Sequence, residues 1–365
     1  MEGTCKKDLI KNYTKTVIPP TVSIVLALLV SSLIIKLMGI NPILAFQWLF
    51  KGALGSTNSV AETFLKASPL ILTGISFALA MRCGLFNIGA EGQLYMGALA
   101  STVVGLYMPP VPMFIHLPIA VAAGFIGGGL WGLVAGYLKV KFGANEIITT
   151  IMLNYVALFF IGYMMHGPLL EPPGFLPQTP MVAETAKYPK ILAGTRLHMG
   201  LIISLIALVM FYILLWKTKL GYEIRVVGHN PTAAHYAGMK PNRSLLVAMF
   251  LSGGFAGMAG SNEVLGVLGR MMEHFSYGVG FDGIAVALLG QNGPGGILLA
   301  AILFGAMRSG ANIMQLATGV PVATIYVIQA LIVIFIVCSE IFRRKGLKPF
   351  QNIMYRYRKK GVDTN

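Results

Sequence analysis

Long apolar stretches recur from one end of this chain to the other, and their length sets the fold, because a helix needs about twenty apolar residues to cross a bilayer. Such runs are read at 17–39, 67–81, 87–108, 114–138, 146–166, 198–216, 244–268, 297–311 and 320–342. A further apolar run at 281–290 is only ten residues long and leads into QNGPGG at 291–296. It predicts a broken or re-entrant helix, which a membrane protein tolerates only where protein or a water-filled cavity surrounds it. Residues 41–66 are mixed in character and read as an amphipathic surface helix outside the membrane. The expected fold is an all-α polytopic membrane protein of about ten transmembrane helices. Only 11% of residues are charged, against about 25% in soluble domains, so the chain lacks the surface of a soluble protein. The apolar runs are continuous rather than alternating, which argues against a β-barrel. The 43 glycines suit closely packed transmembrane helices.

Charge gives the orientation. The net charge of +15 gathers in a few loops, as expected when Lys and Arg are retained on the cytoplasmic side. About 20 of the 28 basic residues fall inside if both termini are cytoplasmic. This divides the chain into a tail at 1–16, a membrane domain at 17–342 and a basic tail at 343–365. The Pro-rich loop at 167–197 then faces out and the basic loop at 217–243 faces in. The first apolar run reads as an uncleaved span. Cys5, Cys83 and Cys338 fall on or near the reducing side and imply no disulfide.

The loop at 217–243 carries a miniature helix with clear ends. Asn230 is placed as N-cap, Pro231 at the first helical position and Gly238 just past the end. A helix of about two turns does not sustain itself in water, so one specified this sharply at a membrane surface is expected to meet a partner.

Other polar residues stand in apolar surroundings. Asn87, Glu91 and Gln93 lie in CGLFNIGAEGQ. They read either as capping of the following helix, with Asn87 as N-cap and Glu91 in the first turns, or as part of a path or gate. Asn145, Glu146 and Asn154 surround the start of a span, where Asn145 reads as a cap. Asp282, Gln291, Asn292, Asn312, Gln315 and Gln329 accompany the last spans. Their amides suit a hydroxyl-rich, uncharged solute, although each also serves as glue between helices. Gly-rich breaks at 84–93 and 288–296 suggest an inverted repeat, of the kind common in transporters, or merely the similarity of Gly-rich sequence to itself. No HExxH, CxxC, GxSxG or GxxxxGK[ST] pattern is present. No metal, cofactor or catalytic residue is expected, nor nucleic acid as a partner, and any ATPase must be another chain.

The segments GLFNIGAEGQLYMGALAS (84–101), KFGANEIITTIMLNYVA (141–157), GYEIRVVGHNPTAAHYAGM (221–239) and VALLGQNGPGGILLAAILFGAMRSGA (286–311) resemble permease subunits of bacterial nucleoside ABC importers. That superfamily also holds ribose and branched-chain amino acid permeases. The resemblance covers about residues 17–345. It implies a multi-pass protein of the bacterial plasma membrane. Its expected partners are a second related permease, ATP-binding-cassette domains on the cytoplasmic side and a substrate-binding lipoprotein outside. It also implies that Gly228, Asn230, Pro231, Ala233, Ala234 and Gly238 belong to the segment that transmits the ATPase stroke. His229 and His235 receive no role. Asn87, Glu91, Gln93, Asn154, Asp282, Gln291 and Asn292 stand as path or gating residues. A sugar such as ribose is the alternative solute. An ion-coupled secondary transporter is the alternative of another class, disfavoured because most acidic residues lie near span ends.

Overall fold

The computed structural model describes residue 22 and residues 24–345. Cys5, the expected tail at 1–16 and residues 346–365 of the expected tail at 343–365 lie outside the described residues. Thirteen helices are described: α1 (Ile24–Leu37), α2 (Pro42–Leu54), α3 (Thr57–Arg82), α4 (Ala90–Tyr107), α5 (Met113–Phe142), α6 (Glu146–His166), α7 (Gly200–Lys217), α8 (Lys219–His229), α9 (Pro231–Tyr236), α10 (Pro241–Glu263), α11 (Val279–Leu289), α12 (Pro294–Thr318) and α13 (Ala323–Lys345). Six of them, α3, α5, α6, α7, α12 and α10 with its extension to Leu268, are long and apolar enough to cross a membrane. A seventh arises if α1 and α2 together form one broken span.

Two compact units are present. In the first, up to Ala45 and from Thr318 on, α1 buries Ala27, Ser31 and Ile35, and α13 buries Ile325, Ile328, Gln329 and Ile332. Both sets follow helical spacing. The second unit, Phe46–Ala317, is built around α3, α4, α5 and α10. Every residue of α3 from Ala67 to Ala80 is buried, so this helix is apolar on all sides and central.

Small residues zip α5 to α10. Gly124, Gly128, Gly132 and Gly136 recur every fourth residue and share one face of α5. Gly253, Gly257 and Ser261 do the same on α10. A Cβ at Gly128 would run into the backbone of Gly253 and Gly257, and one at Gly97 of α4 into Gly257. Three helices therefore meet with backbones in contact, the arrangement that small residues permit in membranes.

The structure corrects several boundaries. Residues 41–66 are not one surface helix. The chain breaks after Leu54, Ser56 caps a new helix by accepting from the Ser59 N–H, and that helix runs unbroken from Thr57 to Arg82. Glu62 and Lys66 thus belong to a spanning helix rather than to a surface one. The third apolar run begins its helix at Ala90, with Gly89 as cap. Asn87 sits two residues upstream, where its Oδ1 accepts from the Gly89 N–H at 2.9 Å. The second interruption also moves. Within 288–296, residues 290–293 are a tight turn joining α11 to α12, with Gln291 and Asn292 both at φ +53°. The irregular segment that enters the bundle is 269–278, which buries Met271, Phe275 and Ser276. It precedes α11 as residues 83–89 precede α4.

Candidate functional site

Two helix N-termini meet inside the second unit. α4 begins at Ala90 after the irregular residues 83–89, and α11 begins at Val279 after 269–278. Glu91, in the first turn of α4, is buried and its Oε2 accepts from the Gly280 N–H at 2.7 Å. A Cβ on Gly280 would strike the Glu91 backbone, so the contact requires glycine there. Each helix N-terminus carries roughly half a positive charge, and the carboxylate lies where both can share it. Tyr95 adds a second tie: its hydroxyl accepts from the Ser276 N–H at 3.3 Å, and its ring packs edge-on against Phe275.

The break before α4 is held by side-chain amides. Asn87 and Gln93 exchange hydrogen bonds at 2.9 and 3.2 Å. Asn87 also donates to Ser252 Oγ at 2.8 Å, and Ser252 donates to the Ser76 carbonyl at 2.7 Å. Asn154 of α6 donates to the Ile88 carbonyl at 3.0 Å and accepts from the Gly92 N–H at 2.8 Å. Asn87 and Asn154 therefore satisfy backbone that no helix pairs, as buried irregular segments require, and Gln93 holds the Asn87 amide in place. All three are buried.

The other selected residues sit elsewhere. Asp282 of α11 pairs with Arg308 of α12 at 2.5 Å. The backbone of Asn292 accepts from Arg82 at 3.0 Å, which places the α11–α12 turn beside the end of α3, and Gln291 is exposed in that turn. Asn145 caps α6 by accepting from the Ile147 N–H at 2.9 Å, and Glu146 pairs with Lys139 at 2.9 Å. Asn312 and Gln315 are exposed on α12.

The miniature helix is present as α9. Asn230 Oδ1 accepts from the Ala233 N–H at 3.0 Å, Pro231 opens the helix and Gly238 follows it at φ +79°. The Met239 N–H closes the end on the Ala234 carbonyl at 3.0 Å. Ala234, expected in the segment that transmits the ATPase stroke, is buried at 0% exposure and anchors α9. The outward face carries Pro231, Ala233, His235 and, at 86% exposure, Tyr236. A shallow concavity runs from Pro231, His235 and Tyr236 to Pro241 and Arg243. Gly228 also faces inward. A Cβ there would strike the Arg82 carbonyl, and Gly84, at φ +79°, lies against the Gly228 backbone. α8 thus rests on the base of the 83–89 break, with Gly221, Ile224 and Val227 buried along the same face.

The opposite end of the unit is covered by residues 167–199. The Thr179 N–H donates to the Met271 carbonyl and the Val182 N–H to the Gly269 carbonyl, both at 2.9 Å. His198 stacks on Tyr188, and burial pushes its imidazole down to about 4, keeping it neutral. Arg196 grips Glu62 with two hydrogen bonds of 2.8 Å, which hold the guanidinium charged. Sequence reasoning passed over Tyr236, Lys66, Glu263 and Arg308. Their only signal is an aromatic in a polar loop, or a charge within an apolar run.

Comparison with known proteins agrees with this architecture. The nucleoside ABC transporter permease NupB of Lactococcus lactis is 39% identical over 334 residues, covering 89% of this chain and 92% of NupB. The guanosine ABC transporter permease NupP of Bacillus subtilis is 37% identical over 94% of this chain and 97% of its own. The glucose ABC transporter permease TsgB13 of Haloferax volcanii is 35% identical over 89% of this chain and 88% of its own. No solved structure matches. The model of the branched-chain amino acid transport system / permease component family matches residues 59–337, and the chain belongs to that family.

Proposed function

We propose that this chain is the membrane-spanning permease of an ATP-binding-cassette importer for nucleosides, with ATP hydrolysed by a separate subunit. The observation that carries the reading is mechanical: an exposed, firmly capped helix, α9, continues from α8, which rests through Gly228 on the base of a broken helix. The names of the lactococcal and Bacillus relatives support a nucleoside as solute. A sugar is the second reading, favoured by the haloarchaeal relative named for glucose. The protein is a multi-pass protein of the plasma membrane.

In this reading the ten spans are α1, α3, α4, α5, α6, α7, α10, α11, α12 and α13. Both termini and the loop at 217–243 are cytoplasmic, and the loop at 167–197 is external. The ATPase grips the outward face of α9, a second homologous permease completes the path as a heterodimer, and a lipoprotein delivers the solute. The stroke passes from Pro231, Ala233 and Tyr236, through the anchor Ala234 and through Gly228, to residues 83–89. There Asn87, Gln93 and Asn154 hold the break, and Glu91 joins it to α11. Asp282, Gln291 and Asn292 are the corresponding elements at the two ends of α11.

Tyr236 provides the test. It is 86% exposed, and exposed substitutions usually change folding stability by less than about 0.5 kcal/mol. Tyr236→Asp is expected to insert normally yet lose more than about tenfold in uptake, since truncating an interface anchor costs about 2 kcal/mol or more. Uptake and ATPase co-purification, measured on the same membranes, check this. Uptake at the unsubstituted rate would sink the docking assignment.

A further inference from the structure

A band of charge crosses the second unit near the end covered by residues 167–199. Lys66 lies nine residues into α3, about 14 Å along the helix, and its Nζ donates to the Arg308 carbonyl at 3.1 Å. Arg308 pairs with Asp282 and Arg196 with Glu62. Glu263 closes the band from α10. Arg308, Lys66 and Arg196 all lie within its electrostatic reach. Six ionisable side chains from four helices and a loop converge, three of each sign.

Glu263 differs from the other two acids. It is partly exposed, and among the described residues its carboxylate makes no hydrogen bond or ion pair. Charge inside a spanning segment is expensive, and such groups face protein or water rather than lipid. The backbone singles out the same position. α10 ends at Glu263, and Val264–Leu268 form a π-helical turn closed by Gly269 at φ +68°. A π-turn is the less stable winding and commonly marks a functional site. Here it begins at the residue directly after Glu263.

We propose that Glu263 is a solute-contacting carboxylate in the outer half of the translocation path, accepting hydrogen bonds from vicinal hydroxyls of the solute. The chemistry fits a ribonucleoside. A carboxylate has two acceptor oxygens and can receive two neighbouring hydroxyl donors at once. Among the described residues the surrounding ion pairs leave it the band's one acid without a partner, and the band's balanced signs suit a solute without net charge. The inference rests on the nucleoside reading above and deepens it.

The test uses the complete importer, with both permeases, the ATPase and the binding lipoprotein, in proteoliposomes. In a background with Cys5, Cys83 and Cys338 replaced by serine, Glu263→Cys is treated with a membrane-impermeant methanethiosulfonate from the side of residues 167–199. Labelling is expected, and guanosine is expected to slow it by about tenfold, as occupancy of a contact site requires. In parallel, Glu263→Gln is expected to raise the guanosine concentration for half-maximal uptake by about tenfold or more, the loss typical of a hydrogen bond to a charged group. Its ATPase co-purification is expected to change little. No labelling, labelling that guanosine does not slow, or unchanged uptake by Glu263→Gln overturns the assignment. If the unsubstituted importer takes up no guanosine while its ATPase is active, the nucleoside reading itself fails, a result distinct from the other three.

Discussion

Gly257→Leu is expected to leave almost no folded protein in the membrane. A Cβ at this position already meets the Gly124 carbonyl and the Gly128 backbone. Gly97 of α4 approaches Gly257 from the other side just as closely. Overpacking against side chains that can shift costs about 1–3 kcal/mol. Here the obstacle is the backbone of α5, so the cost lies at or beyond the top of that range. Without the close approach the α4–α5–α10 contact opens, and with it the frame that positions both helix breaks. Gly295→Leu is the control, since a Cβ there meets nothing within 4 Å. The yield of detergent-extracted protein and its thermal stability check the pair: the first variant collapses and the second stays near the parent. Equal yields would mean that the small-residue zipper does not hold the bundle.

Glu91→Ala is expected to lower uptake by more than about 100-fold, a loss of about 3 kcal/mol. Two effects add. The Gly280 N–H loses its buried acceptor, a penalty of about 1–3 kcal/mol. The positive ends of α4 and α11 then face each other without the carboxylate between them, and a charge at a partly buried helix end is worth up to about 2 kcal/mol. Glu91→Gln retains an acceptor but not the charge, so it is expected to fall between the two, near a tenfold loss. Initial uptake rates on membranes with matched permease content check the order. An alanine variant as active as the parent would show that the joined N-termini are incidental to transport.

Local patterns in the chain carry the elements whose signals are local. The span at Glu146–His166, its Asn145 cap and the ends of α9 are all readable from cap chemistry and apolar length. What escapes such reading depends on partners far along the chain. Glu62 and Lys66 look like the end of a surface segment because charge normally marks a boundary. They lie within α3 because Arg196 and the Arg308 carbonyl, 134 and 242 residues away, satisfy them. Glu91 reads as a residue of its own helix, yet its acceptor serves Gly280, 189 residues on. Ala234 reads as one more residue of the coupling segment in a one-dimensional motif, and only the packing of α9 turns it inward. The most Gly-rich stretch, 288–296, reads as the second break, whereas the chain turns there and breaks at 269–278. The turn puts left-handed backbone at Gln291 and Asn292, two positions that a search for glycine passes over.

ATP dependence of guanosine uptake tests the central claim most directly. In proteoliposomes holding the permease pair and the ATPase, with the binding lipoprotein on the external side, uptake is predicted to require ATP on the ATPase side and to survive a protonophore that collapses ion gradients. Uptake that proceeds without ATP and stops when the gradient is collapsed would contradict it and make the chain an ion-coupled carrier.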